Sequence, residues 1–121
     1  MPKVTVLIVE DNPMNMELCS DLLRAQGYEV LQAATALEAL GVLSEAKPDL
    51  ILMDIQLPGL SGLDLTRRLK EDPKTKGIPI VALTAHAMKG DEVKVFEAGC
   101  SGYIPKPIDI REFPKAVEGF L

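Results

Sequence analysis

The chain is built from short apolar runs separated by segments in which apolar residues recur at helical spacing. Val4 to Val9 reads as a strand buried on both faces, since an alternating pattern would mark a strand with one wet face. Asn12-Pro13 then predicts a helix start: Asn12 as N-cap, and proline at the first helical position, where no N–H is needed. Met16, Leu18, Cys19, Leu22 and Leu23 supply its apolar stripe, and Gly27 is its natural stop. A short second strand is expected over 28–32. A second helix over 36–45 carries Leu37, Leu40 and Leu43, and Pro48 ends it.

The third strand falls at 50–53, followed by a loop marked by Pro58-Gly59 and Ser61-Gly62 and a helix carrying Leu63, Leu65 and Leu69. A fourth strand spans 78–83 and ends in Thr84, and a helix over about 89–98, with an indistinct start, runs to Gly99. Gly102-Tyr103-Ile104 is a short fifth strand before Lys106-Pro107. For the last helix, Asp109 and Glu112 have capping-box spacing and Ile108 is placed to staple onto Phe113. Pro114 leaves two alternatives: a kink, or a regular helix starting only near Phe113. Strand and helix alternating five times predict one α/β domain over 1–121, a parallel sheet with helices on both faces.

In such sheets ligands bind beyond the carboxyl ends of the strands. Strand one delivers Glu10 and Asp11 to that edge, strand three Asp54, strand four Thr84, and strand five leads to Lys106. Strand two offers only Gln32-Ala33-Ala34, which fits a place off to one side. Ionised carboxylates so gathered need a cation or a proton. The set suits phosphoryl transfer to a carboxylate: Asp54 as nucleophile, Glu10 and Asp11 holding Mg²⁺, and Lys106 and Thr84 donating to phosphoryl oxygens. Each residue taken singly has an ordinary structural explanation, as turn-former, cap or surface charge. Their convergence on one edge is what makes the chemical reading preferable.

Composition narrows the alternatives. A net charge of −5, an aromatic share of 4% and no basic block argue against a nucleic-acid surface. No apolar stretch approaches the roughly 20 residues that span a bilayer, and no signal-peptide pattern opens the chain, so a cytoplasmic protein is expected. Cys19 and Cys100 lack metal-ligand spacing and read as reduced core thiols. A flavodoxin-like cofactor binder is disfavoured, because Glu10-Asp11-Asn12 would repel a cofactor phosphate and no glycine-rich cradle appears.

The stretches Val6-Leu7-Ile8-Val9-Glu10-Asp11-Asn12, Pro48-Asp49-Leu50-Ile51-Leu52-Met53-Asp54, Ala82-Leu83-Thr84-Ala85 and Tyr103-Ile104-Pro105-Lys106-Pro107 resemble the receiver domain of two-component response regulators, over nearly the whole chain. The resemblance implies a flavodoxin-like, doubly wound (βα)5 fold of strand order 2-1-3-4-5. It implies Asp54 as phosphoacceptor, charged from a phosphohistidine on a sensor kinase or histidine phosphotransfer protein. Asp11 and Asp54 would ligate Mg²⁺ directly, Glu10 mainly through water, and Gln56 through its backbone carbonyl. Thr84 and Tyr103 would be the switch residues, Lys106 the phosphate contact, and Lys106-Pro107 a cis peptide. Gln56 and His86 would tune the lifetime of the phosphate.

The same resemblance implies a switch that catalyses its own phosphotransfer and dephosphorylation without being a conventional enzyme. It would act as a monomer on a downstream kinase or adaptor through the face formed by the fourth helix, fifth strand and fifth helix. The stretches after Asn12, Asp54 and Thr84 look most like a stand-alone regulator of cell division and polarity, and the chain's end after the fifth helix fits that. They are also similar to receivers of hybrid histidine kinases. A non-phosphorylated pseudo-receiver is the remaining alternative, against which the acidic pair and the acceptor both count. Pro105, where the family more often has a small residue, and Pro114, on the expected partner face, are departures.

Overall fold

The computed structural model describes residues 3–57, 59–85 and 89–121, the side chains of 89–91 excepted. In chain order the elements are β1 (Thr5–Val9), α1 (Pro13–Ala25), β2 (Glu29–Ala33), α2 (Ala36–Glu45), β3 (Leu50–Asp54), α3 (Gly62–Glu71), β4 (Ile80–Thr84), α4 (Lys89–Ala98), β5 (Gly102–Pro105) and α5 (Glu112–Gly119). The strands form one parallel sheet in the order β2-β1-β3-β4-β5. The chain therefore turns from one side of β1 to the other after β2, and the carboxyl ends of β1 and β3 lie next to each other across that reversal.

Every residue of β3 and β4 is buried, as strands covered on both faces must be. Leu7, Val9, Ile51, Met53 and Ala82 point to the layer of α2, α3 and α4, where Ala39, Leu65, Leu69 and Val95 meet them. Val6, Ile8, Leu50, Leu52, Val81 and Leu83 point the other way, onto Cys19 and Leu23 of α1 and Phe113 and Val117 of α5. The period-two alternation of the strands thus fills two cores from one sheet.

The helix starts follow the local chemistry. Asn12 Oδ1 accepts from the N–H groups of Met14 (2.9 Å) and Asn15 (3.2 Å), with Pro13 opening α1 as expected. Gly27 and Gly99 follow α1 and α4 with φ of 88° and 110°, a region open chiefly to glycine. The first strand starts one residue later than expected, the second is shifted by one and the fifth runs to Pro105, and two further boundaries move for identifiable reasons. The fourth strand begins at Ile80 rather than Ile78, because the Ile78 N–H closes a turn onto Thr75 (3.0 Å) and Pro79 has no N–H to give. The third strand extends to Asp54, which pairs with Leu83 in the β4 register.

For α5 the structure selects the second alternative. The regular helix begins at Glu112, but the Phe113 N–H already bonds the Asp109 carbonyl at 2.9 Å, so Pro114, which has no N–H, follows a helical turn already begun and leaves out the next bond of the ladder. Asp109 Oδ1 accepts from Arg111 (2.8 Å) and Glu112 (3.1 Å), tying down the turn ahead of it. Among the described residues no helix is long and apolar enough to cross a membrane.

Candidate functional site

The site is assembled where β1, β3 and β5 end. The ladder runs one residue beyond β1, as the Glu10 N–H bonds the Ala33 carbonyl at 3.0 Å, and this turns the Glu10 side chain inward to 1% exposure. Asp11 follows, exposed above it, and Asp54 closes β3 at 3% exposure. Each of the three acids offers an oxygen, and these oxygens lie within 4.8 Å of one another. Lys106 reaches in from the end of β5: its Nζ lies 2.6 Å from Glu10 Oε1 and 3.3 Å from Asp54 Oδ2. Thr84, 2% exposed, ends β4 beside them, and its carbonyl accepts from the Lys106 N–H at 2.7 Å. The Lys106-Pro107 peptide is cis.

Charge in this pocket is unevenly shared. Burial, and then the neighbouring Asp54, push the Glu10 carboxyl up to about 7 against the pull of Lys106. Burial acts to raise Asp54 as well, but Glu10, the Gln56 N–H (2.9 Å to Oδ1) and Lys106 prevail and hold it below the usual carboxylate range. Lys106 is held above the ordinary lysine range: burial works to lower it, and the two acids overcome that. Of the pair, Asp54 is thus held toward the ionised form and Glu10 toward the neutral acid.

The donor set fits a hard divalent cation. Among the described residues neither Glu10 carboxylate oxygen has a geometric hydrogen-bond partner, and Oε1 has the close Lys106 ammonium as a charge contact at 2.6 Å. A buried carboxylate with hydrogen-bonding capacity to spare, facing two further acids, is what an oxygen-ligated ion would satisfy. The Gln56 side chain is exposed, and its backbone forms the turn that the Asp54 carboxylate closes. His86 lies outside the described residues, as does Pro58. Both cysteines are buried free thiols, and burial, followed by Glu10, pushes the Cys19 thiol up to about 12, which makes it unreactive.

Pro105 removes an N–H at the edge strand, but the Lys106 N–H takes the Thr84 carbonyl one position later, so the pairing that carries Lys106 into the site survives. Tyr103 is half-buried on the α4 side of the sheet, and its hydroxyl donates to Glu92 Oε1 of α4 at 2.5 Å. That bond, followed by burial, raises the Tyr103 phenol above its ordinary range.

Two residues of this region had no signal in the sequence pattern. Glu92 has no role of its own there, lying only within the stretch after Thr84 that carries the resemblance. Gly62 reads as a loop marker, yet it begins α3 directly against Asp54: a Cβ at Gly62 would fall 2.0 Å from the Asp54 carbonyl oxygen and 2.7 Å from Ile55 Cα. Its own N–H bonds the Ile55 carbonyl at 3.2 Å, so the start of α3 buttresses the turn after Asp54 backbone to backbone.

Comparison with known proteins agrees with this geometry. The family described as the response regulator receiver domain matches residues 6–118. The chain is 50% identical over 121 residues to the polar-differentiation response regulator DivK of Brucella anthropi, covering all of this chain and 98% of that protein. Among solved structures, the chemotaxis protein CheY4 of Vibrio cholerae superposes with a TM-score of 0.94 at 27% identity, covering 99% of this chain and 100% of that one. The receiver domain of a Pseudomonas aeruginosa sensor histidine kinase, with a magnesium ion coordinated in its active-site cleft, matches at a TM-score of 0.88 and 34% identity over 98% of each chain.

Proposed function

Because the chain belongs to the response regulator receiver domain family, we propose that Asp54 is its phosphoacceptor and that the surrounding residues divide the work of a two-component switch. In this reading an Asp54 carboxylate oxygen attacks the phosphorus of a phosphohistidine on a sensor kinase or phosphotransfer protein. The new P–O bond forms as the P–N bond breaks, and the imidazole leaves with the electron pair. Lys106 meets the transferred phosphoryl group with a fixed positive charge, and Thr84 offers its hydroxyl. Glu10, Asp11 and Asp54, with the Gln56 carbonyl, would hold Mg²⁺, which when bound neutralises charge on the phosphoryl oxygens. The single observation that carries the proposal is the gathering of three acids within 4.8 Å of one another with Lys106 in contact.

The output is a population shift. Moving the active form from about 1% to 99% takes roughly 5.5 kcal/mol of differential binding. A few charge-assisted bonds from Lys106 and Thr84 and the burial of Tyr103 are of that order. The face of α4, β5 and α5 then presents a changed surface to a downstream kinase or adaptor, as a DivK-like regulator would. Gln56 and His86 stand in sequence two residues beyond the acceptor and the switch threonine, and they are assigned to tuning hydrolysis.

The test is labelling by a small phosphodonor such as acetyl phosphate with Mg²⁺. Wild type should give a hydroxylamine-sensitive acyl phosphate and Asp54→Asn none; persistent labelling of that variant would remove Asp54 from the role. A second reading, favoured by the 34% identity to a sensor-kinase receiver, is transfer onward to a histidine phosphotransfer domain. Phosphotransfer profiling against kinases and phosphotransfer domains separates the two.

A further inference from the structure

Tyr103 stands between two parts of the switch. Its register partner on β4 is Ala82, two residues and roughly 6.6 Å along the strand from Thr84. On its other side its hydroxyl donates to Glu92 in the first half of α4. Glu92 is half-buried, so its carboxylate is partly withdrawn from water. A hydrogen bond to a charged acceptor in that setting is stronger than one at the open surface. Val95, one helical turn on, is buried in the core at 1% exposure, so the position of Glu92 is fixed by the packing of α4 on the sheet.

We propose that Glu92 is the latch of this switch: it holds the Tyr103 hydroxyl against α4 in the unphosphorylated chain, and the strength of that bond sets how much active form exists at rest. The inference rests on the reading of Asp54, Thr84 and Tyr103 given above. It adds a positioning residue on α4 and a reason why that helix responds: Tyr103 cannot turn inward without letting Glu92 go. Phosphorylation and the latch then pull one side chain in opposite directions. By linkage, whatever weakens the latch tightens binding of a phosphoryl mimic by the same factor. A residue that merely supported the fold would not have that effect.

The full chain has two tyrosines and no tryptophan, so 3-fluorotyrosine labelling reports Tyr103 by ¹⁹F resonance beside Tyr28 alone. Wild type, Glu92→Gln and Glu92→Ala are titrated with Mg²⁺ and beryllofluoride. The expected result is that beryllofluoride moves the Tyr103 resonance in wild type. Glu92→Ala shifts the free-state resonance toward that position and tightens beryllofluoride binding by about tenfold, and Glu92→Gln, which keeps a neutral acceptor, lies between. In a Tyr103→Phe background Glu92→Ala should change nothing further, because the donor is already gone.

Unchanged resonance and affinity in Glu92→Ala overturn the latch and leave the switch reading intact. Weaker binding together with a lowered Tm assigns Glu92 to the fold and also overturns it. A wild-type Tyr103 resonance that ignores saturating beryllofluoride removes Tyr103 from the switch, and the latch with it, whatever the variants do.

Discussion

The Lys106 ammonium lies 2.6 Å from the Glu10 carboxylate, nearer than its 3.3 Å approach to Asp54, so in the resting chain this lysine occupies the acid cluster as a resident cation. A divalent ion drawn to the same oxygens is repelled by that charge across a few ångströms of partly dry protein. Lys106→Met keeps the length of the side chain and deletes the charge. It should tighten Mg²⁺ binding by about tenfold in titration calorimetry. The same variant should lose the response of Tyr103 to beryllofluoride, since the proposed phosphoryl contact at the end of β5 is then gone. Unchanged or weaker Mg²⁺ binding would show that the lysine does not compete for the site.

Protonation of Glu10 sets a pH dependence whose sign follows from its position. Its folded-state value near 7 lies above the ordinary 4.5, because the folded pocket favours the neutral acid. The stabilisation this gives is complete below about pH 4.5 and is lost as pH rises through 7. Asp54 has the opposite shift, and its contribution is lost only as pH falls below the ordinary carboxylate range, so it is constant between pH 5 and 8. Metal-free protein should therefore lose on the order of 3 kcal/mol of stability from this group between pH 5 and 8. Glu10→Gln should flatten that dependence. Mg²⁺ competes with the proton, so its affinity should fall as pH drops from 8 to 6, with proton uptake on metal release. Urea melts across pH with and without Mg²⁺ check both halves.

What the sequence disclosed follows from which interactions are local. Strands buried on both faces must be apolar from end to end, so the polar residue that ends each run, Glu10, Asp54 or Thr84, is visible and its sheet edge follows from the alternation. The edge strand β2 is half-exposed, with Glu29 and Gln32 open to solvent, and its pattern is correspondingly weaker. The ends of β4 and α5 depended on where Pro79 and Pro114 spend their missing N–H groups, which the spacing alone left open. The pairs Glu92–Tyr103 and Gly62–Asp54 carry no period at all. They depend on where a helix lands against a strand, and that is decided by packing of the whole layer rather than by neighbours in sequence.

Two glycines in helices should respond in opposite ways to the same substitution. At Gly62 an added Cβ would stand 2.0 Å from the Asp54 carbonyl oxygen and 2.8 Å from its carbon, and both contacts are backbone, so no side chain can swing aside. Gly62→Ala must push α3 off the turn that follows Asp54. It should cost about 3 kcal/mol and slow labelling of Asp54, because the turn that aims its carboxylate moves with the helix. At Gly41, inside α2 and exposed, no atom of the described residues lies within 4 Å of the added carbon. Gly41→Ala should stabilise by about 0.5–1 kcal/mol through the lower backbone entropy of alanine, and leave labelling unchanged. Urea midpoints and acetyl phosphate labelling rates for the two variants, measured side by side, test whether the start of α3 is a structural part of the proposed acceptor site. Equal and small effects at both positions would mean that α3 tolerates a shift there and that Asp54 is aimed without it.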